Sequence, residues 1–387
     1  MKKTKVLFLS AWYPHRYDAM EGLFVRKHAL AVNLYCDVCV LFLYADKQIS
    51  RFEIIEQKTQ QLTEIYVYYP FSTSSVFRRL TKLVNYLRAF RKGYTIVKRN
   101  WGKPDVTHAN ILTRTGVLAY ILHHKEHIPY VITEHWTRYL DTNYSYTGFL
   151  RKKVTEYVVK QAKYILPVSQ SLKDAMISNG LYNANYQIID NVVDDFFYKN
   201  QDKISRSKKR ILHVSCFAER QKNIKGILHA IKRVSNERND FEVIIVGTGI
   251  DYESVVEEAR NLNVLDTIVH FVGEQTPQQV SDWMHQSDFF VLFSNYENCP
   301  VVLLESLACG IPIISTEVGN AHELITSKNG RLIPVGDENA LYFNIKWMLD
   351  NYKTFDKTEI QESAKPFSFE QIGMQLHDIY ALSTIRS

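Results

Sequence analysis

Two glutamates, Glu297 and Glu305, stand eight residues apart in the stretch SNYENCPVVLLESLACGIPIIST at 294–316. The run before it, DFFVLF, is apolar and reads as a buried strand. Residues 294–299 are then the loop at its carboxyl end. Pro300 suits the first turn of a helix, where a missing N–H costs nothing, and Gly310 ends that helix after Cys309. A helix N-terminus carries unbonded N–H groups and a positive dipole end, so it attracts phosphate. Glu297 sits in the loop just before it, and Glu305 about one and a half turns in. Carboxylates beside a phosphate site repel the phosphate itself. They therefore serve neutral partners, and sugar and ribose hydroxyls are the natural ones.

Such a loop needs a sheet to hold it. Apolar runs recur at 6–9, 38–43, 131–133, 165–168, 211–214, 241–246, 268–272, 289–293 and 311–314. Many are β-branched and continuous, as strands buried on both faces are. Helical segments such as 224–234 and 252–262 lie between them. This alternation predicts parallel sheets covered by helices on both sides. It is interrupted once, by the polar stretch 188–210, which reads as an interdomain linker. A chain of 387 residues is comfortable as two domains. Doubly wound sheets bind ligands at the carboxyl ends of their strands, so two facing sheets would make a cleft.

Several classes are excluded or disfavoured. In VGTGIDY, Gly247 and Gly249 are present, but Tyr252 stands at the third glycine position, too weak a pattern for NAD. Walker A and an Asp-x-Asp metal motif are absent. Cys36 and Cys39 form a CxxC without a second pair or a nearby histidine, and CDVCVLFLY reads as strand. Five cysteines, an odd number, suit a reducing compartment. No apolar run approaches the roughly 20 residues of a spanning helix. The start MKKTKVLFLSAWYP has too short an apolar core for a signal peptide and reads as a first strand.

The stretch at 294–316 resembles the signature of the retaining family 4 (group 1) glycosyltransferases, a Glu, seven residues, Glu motif. WYPHRYDAMEGLFVRKHA is similar to that family's first loop and helix, with Gly22 at its glycine position. YILPVSQSLKDAMISNG and DNVVDDFF resemble its segments before the linker. VGNAHELI and NGRLIPVGD resemble those after the motif, and FSFEQIGMQLHDIYALS its last helix, which crosses back to the first domain. The resemblance implies the GT-B fold, two facing Rossmann-like domains. The expected boundaries are 1–195 for an acceptor domain, joined by the helix at 366–387, and 205–365 for a nucleotide-sugar domain.

The resemblance also assigns roles by position. Glu297 would hold the donor sugar's hydroxyls and Glu305 the nucleotide ribose. Lys222, in VSCFAERQKNIKGILHA, matches the lysine that meets the diphosphate. The family's upstream arginine position is taken by Phe217, which leaves Arg220 as the nearest cation. Cations here fit a leaving nucleoside diphosphate whose charge grows as the glycosidic bond breaks. His135, in PYVITEHW, matches a histidine that reaches the donor sugar, and Gly22 joins the donor site. His108 is read as structural. No nucleophile–base pair is evident. Retention would follow from front-face attack, with the leaving phosphate taking the acceptor's proton. No cofactor and no metal are expected, since the nucleotide-sugar is a substrate.

The function this implies is sugar transfer to a carbohydrate or lipid-linked acceptor, in surface polysaccharide or glycolipid synthesis. A GT-B phosphorylase or epimerase, or a non-catalytic nucleotide-sugar-binding protein, is the alternative. Both glutamates and Lys222 are intact, which favours catalysis. Nucleic acid is not an expected partner. Between Glu64 and Asp105 no acidic residue occurs, while Lys and Arg number nine. From Ser75 to Lys92, Phe77, Leu80, Val84 and Leu87 recur at helical spacing, flanked by Arg78, Arg79, Lys82, Arg88, Arg91 and Lys92. Two readings stand: a stripe packed on the core with a solvated basic face, or a patch for an anionic membrane. The expected location is cytoplasmic, with peripheral contact at the inner face of the cytoplasmic membrane under the second reading.

Overall fold

A computed structural model describes residues 3–59, 62–71, 78–140 and 144–385. The chain forms two compact units, Met1–Val192 with Phe369–Ser387, and Val193–Ser368.

In the first unit the strands are β1 (Lys5–Ser10), β2 (Asp37–Asp46), β3 (Glu53–Lys58), β4 (Thr63–Pro70), β5 (Val106–Asn110), β6 (Tyr130–Glu134) and β7 (Tyr164–Pro167). The helices are α1 (Leu23–Asn33), α2 (Arg78–Ile96), α3 (Leu112–Glu126), α4 (Phe149–Gln161) and α5 (Gln170–Ser178). A π-helical turn, Val97–Trp101, continues α2. The sheet order is β3-β4-β2-β1-β5-β6-β7. All neighbours are parallel except β3, which runs antiparallel to β4, so this sheet is mixed where a parallel one was expected. β3 ends in the exposed Glu56, Gln57 and Lys58, a polar edge that discourages pairing with another chain.

In the second unit the strands are β8 (Lys209–Val214), β9 (Phe241–Val246), β10 (Val269–Phe271), β11 (Phe289–Leu292), β12 (Ile313–Thr316) and β13 (Gly330–Ile333). Its helices are α6 (Asp195–Tyr198), α7 (Glu219–Lys222), α8 (Ile224–Ser235), α9 (Tyr252–Asn261), α10 (Pro277–His285), α11 (Val301–Cys309), α12 (Ala321–Leu324), α13 (Glu338–Asn351) and α14 (Lys357–Ala364). The parallel order is β10-β9-β8-β11-β12-β13, the doubly wound arrangement whose direction reverses between its first and fourth strands. The chain then returns to the first unit as α15 (Phe369–Thr384).

α15 packs against α1 and buries Ile372, Leu376, Ile379 and Tyr380 in the first core. Right-handed crossovers put α2, α3 and α4 on the other face of that sheet, where α2 lies on β2 and β4 and α3 packs on α4. The expected linker is shorter than its composition suggests. Ile189 and Val192 are buried in the first core, and Val193 and Phe197 in a core of the second unit. Residues 188–194 and 199–208 lack regular structure, and in the second of these Lys203 pairs with Asp288 at 3.1 Å.

α2 departs from one of its two readings. Leu80, Leu83, Val84 and Leu87 are all exposed. The face laid on the sheet carries Ala89, Phe90, Gly93 and Tyr94 instead. The helix has two apolar stripes, and the one singled out in the sequence is the outer one. Ser75 to Phe77 lie outside the described residues, as do the side chains of Arg78 and Arg79.

Candidate active site

The second sheet reverses direction between β8 and β11, so the loops leaving these two strands flank the crevice at the carboxyl edge. Lys222 comes from one loop and Glu297 from the other. The Lys222 ammonium lies 2.5 Å from Glu297 Oε1. Ser294 Oγ donates to the same oxygen at 2.8 Å. Gln221 Nε2 donates to Oε2 at 3.1 Å. Glu297 is buried, and these three donors supply the hydrogen bonds that a desolvated carboxylate needs. The two loops are also tied through their backbones: Asn295 N donates to the Gln221 carbonyl at 2.7 Å, and Asn295 Nδ2 to the Arg220 carbonyl at 3.1 Å. Arg220 itself is exposed.

The local sequence explains these positions. α7 is a single turn, closed by Asn223 at φ 49°. Glu219 accepts from the Ile224 and Lys225 N–H groups, and Asn223 from that of Gly226. The N-terminus of α8 is thus satisfied by its own chain. At the N-terminus of α11, Pro300, at the cap position rather than in the first turn, makes no side-chain cap bond, and Leu303 N donates to its carbonyl at 2.9 Å. Gly310, at φ 72°, ends that helix. Glu305 is buried on α11 among Leu303, Leu304 and Leu307, roughly 6 Å along the axis from Val301. Gly319, at φ 54°, brings the loop after β12 against Glu297 and Asn298, where a Cβ would lie 2.3 Å from the Asn298 carbonyl oxygen. Gly247 and Gly249 serve packing: a Cβ on either would run into the backbone of 215–217. Phe217, at the family's arginine position, is buried against Tyr252 and Phe271.

In the first unit the sheet reverses between β1 and β5, and the candidate residues gather beside that point. His135 follows β6. Its ring lies 4.4 Å from Phe24 and 5.6 Å from His28, centre to centre. Burial, together with the His28 and His108 rings, holds it well below the ordinary histidine range, so it is neutral at neutral pH. Glu134 fixes its approach: one carboxylate oxygen accepts from the His135 and Trp136 N–H groups, each at 2.9 Å. The other accepts from Leu112 N at 3.1 Å. Gly22, at φ 64°, precedes α1, and a Cβ there would lie 2.3 Å from the Trp12 carbonyl. It thereby seats Trp12, whose ring packs on Phe24 and Trp136. His108 is structural, with one ring nitrogen 2.6 Å from Tyr380 Oη and the other 2.6 Å from Thr133 Oγ1. Among the described residues no group of three or more His, Cys, Asp or Glu could hold a metal.

The chain matches two families in succession: Glycosyltransferase Family 4 over residues 37–195 and Glycosyl transferases group 1 over 208–351. It belongs to the group 1, family 4 glycosyltransferases. This glycosyltransferase is 26% identical over 292 residues to the N-acetyl-alpha-D-glucosaminyl L-malate synthase of Bacillus anthracis, covering 71% of this chain and 74% of the relative. It is 24% identical over 363 residues to the putative teichuronic acid biosynthesis glycosyltransferase TuaC of Bacillus subtilis, covering 87% of each. Its fold resembles that of sucrose-phosphate synthase from Thermosynechococcus elongatus, with TM-score 0.75, 17% identity and coverage of 98% and 99%. It also resembles Anabaena Alr3699/HepE in complex with UDP, with TM-score 0.73, 18% identity and coverage of 99% and 100%. With its two doubly wound units, the glycosyltransferase has the GT-B fold.

Sequence reasoning missed Gln221, Ser294, Glu134 and Gly319. The first and third adjoin residues that were singled out, and Ser294 follows a strand end. Their roles come from contacts between distant segments, which spacing does not reveal.

Proposed function

We propose that this glycosyltransferase moves a sugar from a nucleoside diphosphate donor, with retention of anomeric configuration, to a carbohydrate or lipid-linked acceptor. The observation that carries the reading is the Glu297 carboxylate, held by Lys222, Gln221 and Ser294 beside the N-terminus of α11. It joins a hydroxyl acceptor, a cation and a phosphate-seeking helix end at one sheet crevice. Lys222 and the helix end would stabilise the charge gathering on the leaving diphosphate. Glu297 would orient the sugar hydroxyls, Glu305 the ribose, and Arg220 would add charge as it swings in from solvent. His135, neutral and backed by Glu134, would donate to or accept from a sugar hydroxyl, with Gly22 shaping the loop beside it.

Relatives support the acceptor class. The chain is 24% identical to the alpha-monoglucosyldiacylglycerol synthase of Streptococcus pneumoniae. It is 25% identical to a Campylobacter jejuni N-acetylgalactosaminyltransferase whose named substrate is a diphospho-undecaprenol. Surface polysaccharide or glycolipid synthesis is the matching setting. No described helix is long and apolar enough to cross a membrane. A lipid-linked acceptor would be met at the membrane surface through the basic helix α2.

A screen of UDP-, GDP- and ADP-sugars by thermal shift, then turnover with product anomers read by NMR, tests this. Donor stabilisation of the wild type that disappears in Lys222→Ala, with a retained anomer, is the expected result. An inverted product rejects retention. Turnover that needs inorganic phosphate and no nucleotide identifies a phosphorylase instead. With the diphosphate charge met by Lys222 and the helix end, turnover should persist in EDTA. Abolition that Mg²⁺ or Mn²⁺ reverses would overturn that expectation.

A further inference from the structure

Where α2 and α3 leave the carboxyl edge of the first sheet, a groove of about 320 Å³ opens between them. That is the lower end of the range for small-molecule pockets, about 300–1,000 Å³. Its floor is the ends of β2 and β4, at Ala45, Tyr69 and Pro70, and its walls include Leu83, Leu87, Val117 and Leu118. Two cations line it: Arg114, which is exposed, and Lys82, whose ammonium sits 4.3 Å from the centre of the Phe71 ring. The outer stripe of α2 leads into it, with Leu80 60% and Leu83 53% exposed. Two crossovers along the same face, the first turn of α4 exposes Phe149 at 80% and Leu150 at 75%, followed by Arg151, Lys152 and Lys153. The first turns of α2 and α4 therefore present apolar side chains beside cations, and that of α3, between them, presents Arg114. They do so at the end of the sheet where His135 emerges.

We infer that the groove between α2 and α3 binds one hydrocarbon chain of an anionic, phosphate-bearing lipid while it remains in a bilayer, with Arg114 and Lys82 at its headgroup and Phe149 and Leu150 as a second anchor. This rests on the reading of a lipid-linked acceptor and adds the site that takes the lipid. The charge is complementary: no acidic residue occurs between Glu64 and Asp105, and α2 exposes Arg88, Arg91 and Lys92. Basic residues near an anionic leaflet attract it, but only over about a Debye length. Apolar side chains beside them add burial that salt does not screen. A purely electrostatic surface would need neither the leucine-walled groove nor the bare phenylalanine of α4.

The test uses the full chain and vesicles of phosphatidylcholine with or without phosphatidylglycerol. Wild type should sediment with the anionic vesicles and keep part of that binding at high salt. Leu83→Asp/Leu87→Asp, at two exposed positions, should bind roughly tenfold more weakly. Arg114→Glu and Phe149→Asp/Leu150→Asp should also weaken it. All three variants should keep the wild-type thermal shift with UDP. Leu87→Trp should gain fluorescence that acyl-brominated lipid quenches. If Leu83→Asp/Leu87→Asp binds vesicles as wild type does, while Arg88→Glu/Arg91→Glu does not, the surface is electrostatic and the groove is not a lipid site. If wild type ignores anionic vesicles but turns over donor on a soluble acceptor, the lipid inference falls and the transferase reading stands.

Discussion

Lys222 and Glu297 are each other's closest charged partner, and both side chains are largely buried. Removing one partner of such a pair strands the other, at a cost of about 3–5 kcal/mol. Lys222→Ala and Glu297→Ala should each lower urea stability by that order, and the double variant by less than their sum. Additive losses would show that the two do not act together. Activity separates what stability does not: Glu297→Gln keeps the side chain's size and should depress kcat far more than nucleotide affinity. Glu305→Ala should instead weaken donor binding by about 1.5–3 kcal/mol, the worth of hydrogen bonds to a charged group, measured by calorimetry. An unchanged affinity would remove Glu305 from the ribose. These two glutamates and the lysine were legible because each stands beside a strand end or a helix start. Arg220 was placed by proximity alone, and its side chain is exposed.

At the scale of elements, the first loop and α1 hang on Gly22. A side chain there would need left-handed backbone and would strike the Trp12 carbonyl. Gly22→Ala should therefore cost about 1–3 kcal/mol and disturb the Trp12–Phe24–His135 packing. The expected readout is a lower kcat together with changed tryptophan fluorescence. Wild-type values for both would show that the loop seats itself without the glycine. The strands read most plainly in the sequence were the central ones, whose apolar runs are continuous because both faces are covered. β3 and β4 were missed: EIIEQK is polar toward its end, as an outer edge must be, and TEIYVYYP mixes tyrosines with a buried glutamate. Glu64, in β4, accepts from Tyr13 Oη at 2.5 Å and Arg26 Nε at 3.0 Å. A charged residue in a core strand is invisible as such until its partners are known. α2 failed differently: its spacing was helical on both faces, and periodicity does not say which face meets the sheet.

For the whole molecule, each unit buries a histidine that is neutral at neutral pH. His28 in the first and His213 in the second are held by burial to about 4. In the unfolded chain both titrate near 6.5. Between these values the unfolded chain binds more protons, so stability is complete above about pH 6.5 and falls as pH drops toward about 4. Each site contributes roughly 3 kcal/mol to that fall. Urea midpoints should therefore decline from about pH 7 to about pH 5, with a shallower decline in His213→Asn. Midpoints that stay level would mean that these rings protonate in place. The two-unit plan and the return of the last helix were legible, since both rest on long-range alternation and on the order of several segments. The chain changes units between Val192 and Val193, inside a stretch whose polar average conceals four buried apolar residues. α15, meanwhile, completes the first core with Ile372, Leu376 and Tyr380 only after the whole second unit has been threaded between. On a ribosome adding about 5–20 residues per second, the face of α1 that awaits this helix stands uncovered for on the order of twenty to seventy seconds. The second unit, contiguous in the chain, can close first, so the half that is begun earliest is finished last and most needs a chaperone's shelter.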